Sequence, residues 1–153
     1  MTKPLRQWQW APLKPYNGFT FPERVRGWQL VTWMIDNGWK TKPPTCCISG
    51  AAQRVTLHSE NYYDWEPHAL AQPIHLALHA RFRQPERWQA IVRRYAVTGE
   101  EWFAKLAMEP VDLAAQLRAQ HGGDIADIFA RAPIPKGVLV PFEQIFPDEV
   151  TAA

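Results

Sequence analysis

Apolar residues recur at helical spacing from Pro22 to Asn37, with Val25, Trp28, Val31 and Ile35 on one face and Trp33 beside it. Pro22 suits a first helical position and Gly38 lies just past the end, so the pattern predicts an amphipathic helix. Ahead of it, Pro4, Pro12 and Pro15 alternate with Trp8, Trp10 and Tyr16. Prolines at that density resist helix, which predicts an extended arm over 1–21. Its rings either cover an apolar patch of the core or stack on bases. The run Lys40-Thr41-Lys42-Pro43-Pro44 breaks regular structure after the helix.

The pattern then changes period. Gln53 to His58 alternates as a strand does, and Cys46 to Gly50 offers a short partner strand and turn ahead of it. After an irregular stretch containing Asn61, Tyr62, Tyr63, Asp64 and Trp65, Pro73 to Phe82 returns to helical spacing. Pro85 opens another helix to about Ala96, and Thr98-Gly99-Glu100-Glu101 reads as a capping box for a short helix through Trp102, Phe103 and Leu106. Leu113 and Leu117 mark a helix over 111–120 that Gly122-Gly123 stops, and Ile125, Ile128 and Phe129 mark a further short one. The expected fold is α+β: a small β-hairpin plus helix, over 45–82, embedded in a mostly helical single domain spanning 22–131. A proline-punctuated tail over 132–153 follows.

With 153 residues, 46% of them hydrophobic, the chain can bury one good core. No apolar run approaches the roughly 20 residues that cross a bilayer, and the start lacks the apolar stretch of a signal peptide. The expectation is a cytoplasmic protein with no membrane partner. Cys46 and Cys47 are the only cysteines and are adjacent, which excludes a disulfide framework. The net charge of +2 is unevenly spread: residues 1–98 carry 13 basic and 6 acidic side chains, residues 99–153 carry 4 and 9. The basic side is the candidate nucleic-acid face.

Chemistry concentrates in the central segment. His75 and His79 are four apart on an expected helix, which puts both imidazoles on one face, and His58 at the end of the strand supplies a third donor. Three protein ligands with open positions is how a catalytic divalent ion is usually held, and Mg, Mn, Ni and Zn all remain open on this donor set. Without an ion, such a pair is an ordinary hydrogen-bonded helix face. Beyond it, Arg81, Arg83, Arg87, Arg93 and Arg94 interleave with Phe82 and Trp88, a pattern suited to bidentate phosphate contacts or to a solvated helix face with its rings in the core. Glu60, Asp64 and Glu66 add carboxylates near the same segment.

The ordered elements Cys46-Cys47-Ile48-Ser49-Gly50, Leu57-His58-Ser59-Glu60-Asn61-Tyr62 and Leu70-Ala71-Gln72-Pro73-Ile74-His75-Leu76-Ala77-Leu78-His79 resemble the HNH endonuclease family, over about 38 residues. The resemblance implies a ββα-metal core that holds one divalent ion and acts on a phosphodiester in DNA. Zinc-bearing members clamp a structural zinc with four thiolates. Here Cys46 matches the first, but Ser49, Ala71 and Ile74 stand at the other three positions, so no structural zinc is expected, side-chain packing replaces the clamp with Ile74 and Leu78 facing the hairpin, and Cys47 is expected to be a buried thiol. Members starting Leu-His-His use the first histidine as ligand and the second as general base; Leu57-His58-Ser59 keeps the first and has serine at the second. In the other registration, His58 is the base and Leu57 occupies the metal slot. Either way one catalytic position is missing, and Glu66 or His68 lies near the position of the family's central Asn. Losing a general base removes a factor of about 10² to 10⁴. The expectation is an HNH-like protein that binds nucleic acid with weak or no hydrolysis. The alternative is a non-catalytic protein-interaction or structural module, suggested by eight tryptophans and the acidic C-terminal third.

Overall fold

Thr20 starts the first helix by a reciprocal cap: its hydroxyl accepts from the Glu23 N–H at 3.3 Å while the Glu23 carboxylate accepts from the Thr20 N–H at 3.1 Å. In a computed structural model that describes residues 3–97 and 99–122, this helix is α1 (Phe21–Asp36). Further along the chain come β1 (Val55–His58), β2 (His68–Ala71), α2 (Gln72–His79), α3 (Pro85–Tyr95), α4 (Glu101–Ala104) and α5 (Leu113–His121). The α+β class follows. The short helix expected around Ile125, Ile128 and Phe129 and the tail over 132–153 lie outside the described residues. No helix among the described residues is long and apolar enough to cross a membrane.

The chain divides into two compact units, a partition that cuts through the domain expected over 22–131. The first contains, among the described residues, 3–41, 60–65 and 112–122. Its helix α1 buries more than one stripe. Val25 and Val31 are in the core as expected, but so are Leu30, Trp33 and Met34, while Trp28 and Ile35 stay half-buried. The arm explains the difference, because it covers flanks of α1 that a free helix would expose. Trp33 Nε1 donates to the Lys3 carbonyl at 2.8 Å, Gln29 donates to the Arg6 carbonyl at 2.9 Å, and Arg6 forks onto Asp36 at 2.7 and 2.8 Å. Trp8 and Leu13 pack on Phe21 and Val25, so the arm's first tryptophan meets the core, whereas Trp10 remains 63% exposed.

A buried carboxylate organises the same unit. Glu23 accepts from the Tyr63 hydroxyl at 2.7 Å and from Arg118 at 3.0 Å. Burial first, and then the Glu23 carboxylate, push the Tyr63 pKa well above the ordinary phenol value, so Tyr63 stays a donor. Tyr16 and Asn17 both donate to the Glu60 carboxylate, and the Asn17 carbonyl accepts from the Ala114 N–H at 3.0 Å, where α5 begins.

The second unit, residues 42–59 and 66–111, is built on the antiparallel pair β1–β2. The strand partner expected at Cys46 to Gly50 is not one: those residues form a turn, and β1 pairs with His68–Ala71. Cys46 to Gly50 cannot extend because the chain closes on itself there, with Cys46 N–H donating to Ala51 O and Gly50 N–H to Cys46 O, both at 2.8 Å. Helix α2 follows β2 without a connector. Ala71 is both the last strand residue and the N-cap, and the Gln72 N–H donates back to Arg54 O at 3.0 Å. Ile74, Ala77 and Leu78 bury one face of α2, and in the same unit the buried Trp88 of α3 meets the buried Phe103 of α4 edge-on at 6.4 Å.

Gly27 in α1 is a packing residue. A Cβ there would lie 2.8 Å from the Tyr62 carbonyl oxygen and 3.0 Å from Tyr62 Cβ. At an ordinary helix interior, Gly→Ala stabilises by about 1 kcal/mol. Here the neighbour is backbone, and overpacking costs about 1–3 kcal/mol. Urea unfolding of Gly27→Ala is therefore expected to give a lower unfolding free energy than wild type, and a gain would show that the segment around Tyr62 yields without cost.

Candidate metal centre

Side chains alternate across β1, so Thr56 and His58 project to one face while Val55 and Leu57 project to the other. On α2, the four-residue spacing stacks His75 and His79 on one stripe, next to the buried stripe of Ile74 and Leu78. The two stripes differ by one position. Burying Ile74 and Leu78 therefore carries His75 and His79 to the edge where Thr56 and His58 stand.

The result is convergence of three ring nitrogens. His58 Nδ1 lies 3.3 Å from His75 Nε2, and His79 Nε2 lies 3.2 Å from the same atom. A tetrahedral ion with metal–nitrogen distances of about 2.0–2.1 Å sets its ligand nitrogens roughly 3.3–3.4 Å apart. The observed spacings fall close to that. His58 is fully buried and His75 and His79 are half-buried, so the cluster has an inner wall and an open side.

Thr56 fixes the orientation of the central ring. Its hydroxyl lies 2.7 Å from His75 Nδ1 and donates to the Leu70 carbonyl at 3.3 Å. A hydroxyl has one proton. When that proton goes to Leu70, Thr56 accepts from His75 Nδ1–H and the lone pair falls on Nε2, the atom that faces the other two rings. An outer partner that sets tautomer and orientation is the usual companion of a metal-binding histidine. The residues present thus fit a divalent ion in donor type and spacing.

Next to this cluster lies a second one that the sequence reading did not assemble. Cys47 Sγ, a His68 ring nitrogen and a Glu100 carboxylate oxygen all fall within 4.8 Å of one another. His68 pairs directly with His58 across the strands. Trp102 stacks on the His68 ring at 3.8 Å, with an interplanar angle of 14°, and lies parallel to His58 at 6.2 Å. Only Cys47's place beside Cys46 and His68's place near the strand were visible in the sequence. Glu100 enters from 32 residues beyond His68, with no spacing signal.

The two thiols differ from expectation. Cys46 is the fully buried one and Cys47 is half-buried. Burial raises the Cys46 pKa, but hydrogen bonds from Ser49 and from backbone N–H groups more than offset it and leave it below the ordinary thiol value. The Cys47 thiol is pushed up to about 11 by burial, then by the Glu100 charge and by Cys46. Cys47 is reversed from the expected buried thiol because the turn points Cys46 inward, where its sulfur accepts the Ser49 N–H at 3.4 Å.

The arginines separate into two groups. Arg81 is fully buried, donating to Ala107 O at 2.7 Å and Leu78 O at 3.1 Å, with its guanidinium over the Phe82 ring at 4.4 Å. It holds the backbone after α2 and is thereby removed from the phosphate-contacting set. Arg83, Arg87, Arg93 and Arg94 are exposed, while Trp88 is in the core. Ser59 follows β1 directly and is half-buried, and Glu66 is exposed.

Thr56→Val keeps the side-chain shape and removes only the hydroxyl. Calorimetric titration with zinc is expected to show affinity lower by about 10- to 100-fold, the usual effect of losing an outer partner, with the circular dichroism unchanged. Equal affinity in both proteins would remove Thr56 from the site.

Compared with known proteins, the chain matches no family model, no curated protein and no solved structure.

Proposed function

We propose that this chain is an HNH-like ββα-metal protein that binds one divalent ion at His58, His75 and His79 and binds the phosphate backbone of nucleic acid, with weak or no phosphodiester hydrolysis. One observation carries the reading: a strand, a second antiparallel strand and a helix follow in order, and ring nitrogens from the first strand and the helix converge at metal-ligand spacing. Three neutral imidazoles suit zinc or nickel better than magnesium, which favours oxygen donors. When bound, a divalent ion would supply Lewis acidity toward a phosphoryl oxygen.

The chain's own residues support binding more than hydrolysis. Arg87 and Arg94 stand two turns apart on the exposed side of α3, with Arg93 beside them and Arg83 between α2 and α3. A guanidinium can take a phosphate through two parallel hydrogen bonds, and such contacts carry no sequence information. Ser59 occupies the expected base position, and a serine hydroxyl without its own base does not accept a proton near neutral pH. His58, as the inner member of the three-ring cluster, is engaged with His75 through Nδ1.

The interaction-module reading has one observation in its favour, the exposed Trp10 set edge-on against Trp8 at 4.9 Å and Trp28 at 5.7 Å in the first unit. Two measurements separate the readings. Calorimetry is expected to show zinc or nickel binding in wild type and its loss from this site in His79→Ala. Duplex affinity is expected to fall with salt, and Arg83→Glu with Arg87→Glu to reduce the slope of log K against log salt by about 1 per contact removed. No detectable DNA affinity at low salt, together with zinc heat unchanged by His79→Ala, would leave only the interaction module.

A further inference from the structure

The Cys47, His68 and Glu100 cluster is not used by anything described so far. Its three side chains come from three places in the second unit: the turn at 46–50, the first residue of β2, and the residue that precedes α4. Two of them are positioned by neighbours and the third is exposed beside them. The Cys47 N–H donates to Ala69 O at 2.9 Å, which places the thiol beside the start of β2. Trp102 stacks on His68 and sets its ring plane. Glu100 approaches His68 Nδ1 at 3.9 Å.

We propose that Cys47, His68 and Glu100 form a second metal site, selective for zinc, whose ion ties the 46–50 turn, β2 and the start of α4 together and keeps one coordination position open.

Donor chemistry chooses the metal. Thiolate with imidazole and a carboxylate is a zinc set, whereas magnesium and calcium call for oxygen alone. Binding releases the Cys47 thiol proton to solvent, so one S–H bond is exchanged for a sulfur–zinc bond. Two further features fit an anionic sulfur at this place. The buried Trp102 indole N–H has no hydrogen-bond partner that meets normal geometry among the described residues, yet it lies close enough to Cys47 to favour the thiolate. Burial and the neighbouring carboxylate both oppose a bare thiolate, and a divalent cation between sulfur and carboxylate turns the second of these into an attraction.

The site shares no ligand with the three histidines, so it stands or falls apart from the proposed function. It also differs from the family's thiolate clamp, of which this chain has only Cys46, with Ser49, Ala71 and Ile74 at the other three positions. The second ligand set uses the neighbouring thiol and two residues outside that pattern.

Cobalt(II) is the probe, because thiolate coordination adds a near-ultraviolet sulfur-to-cobalt charge-transfer band that imidazole coordination lacks. Wild-type protein titrated with cobalt under reducing conditions is expected to develop this band and lose it when zinc is added. The band is expected to be absent in Cys47→Ser, present in Cys46→Ser and present in His75→Ala. Glu100→Gln changes an exposed side chain and is expected to fold; it should require at least about tenfold more cobalt for half-maximal band intensity, since even outer partners contribute that much. The proposal is overturned by a wild type with no band, by a band that follows Cys46, by a band lost in His75→Ala, or by unchanged affinity in Glu100→Gln. Loss of the three-histidine site with the band intact would instead count against the proposed function alone.

Discussion

The pairing of His58 with His68 across β1 and β2 is the constraint on which both donor sets depend. Side chains on a strand have a period of two, so a slip of one residue would carry Thr56 and His58 to the opposite face and dissolve the three-ring cluster. A two-stranded hairpin is marginal by itself and needs a partner layer to hold register. Here the register is pinned from three sides. The Cys47 N–H bonds Ala69 O, the Gln72 N–H bonds Arg54 O, and Ala69, Leu70 and Ala71 are all buried. Because α2 starts at the residue after β2, the same register also sets the rotational phase of the helix. Ile74 and Leu78 turn inward, and His75 and His79, one position on, necessarily reach the edge of β1.

That geometry creates a problem of protons that a cation would resolve. His58 Nδ1 and His79 Nε2 lie 3.3 and 3.2 Å from His75 Nε2, so these nitrogens cannot all carry hydrogens; with the His75 proton on Nδ1, its Nε2 lone pair would have to meet a donor from each neighbour. Two imidazole N–H groups sharing one lone pair is a poor arrangement beside three lone pairs directed at one ion. The same logic, in sulfur and carboxylate, holds at Cys47 and Glu100. Trp102 links the two donor sets, lying parallel to His68 at 3.8 Å and to His58 at 6.2 Å.

Local signals made much of this legible. Pro22, Pro73 and Pro85 each mark the first turn of an observed helix, and the His75–His79 spacing described a common face correctly. The second strand was missed because His68–Ala71 is four residues long and runs into a helix without a turn, leaving no punctuation to read. Cys46 to Gly50 reads as a short partner strand and turn just ahead of β1, but its own i to i+4 hydrogen bond closes the whole segment into a turn. Arg81 looked like its arginine neighbours in sequence. What sets it apart is tertiary: the carbonyls of Leu78 and Ala107 are brought to it by folding. The second donor cluster joins three chain segments, and no local pattern encodes that.

Placement of charge connects the three-histidine edge to the exposed face of α3. The exposed arginines begin at Arg83, four residues after His79, and continue along α3, all within the unit that also contains both donor sets. Arg81, by holding Leu78 O and Ala107 O, fixes the end of α2 against the segment after α4, which keeps His79 from fraying with the helix terminus. A side chain that resembles a phosphate ligand in sequence therefore acts as a brace at the end of the helix that carries His79. The Leu78 carbonyl also accepts from backbone N–H groups, so it is chiefly Ala107 O that would lose its partner with Arg81, a loss of framework that leaves the exposed Arg87, Arg93 and Arg94 of α3 untouched.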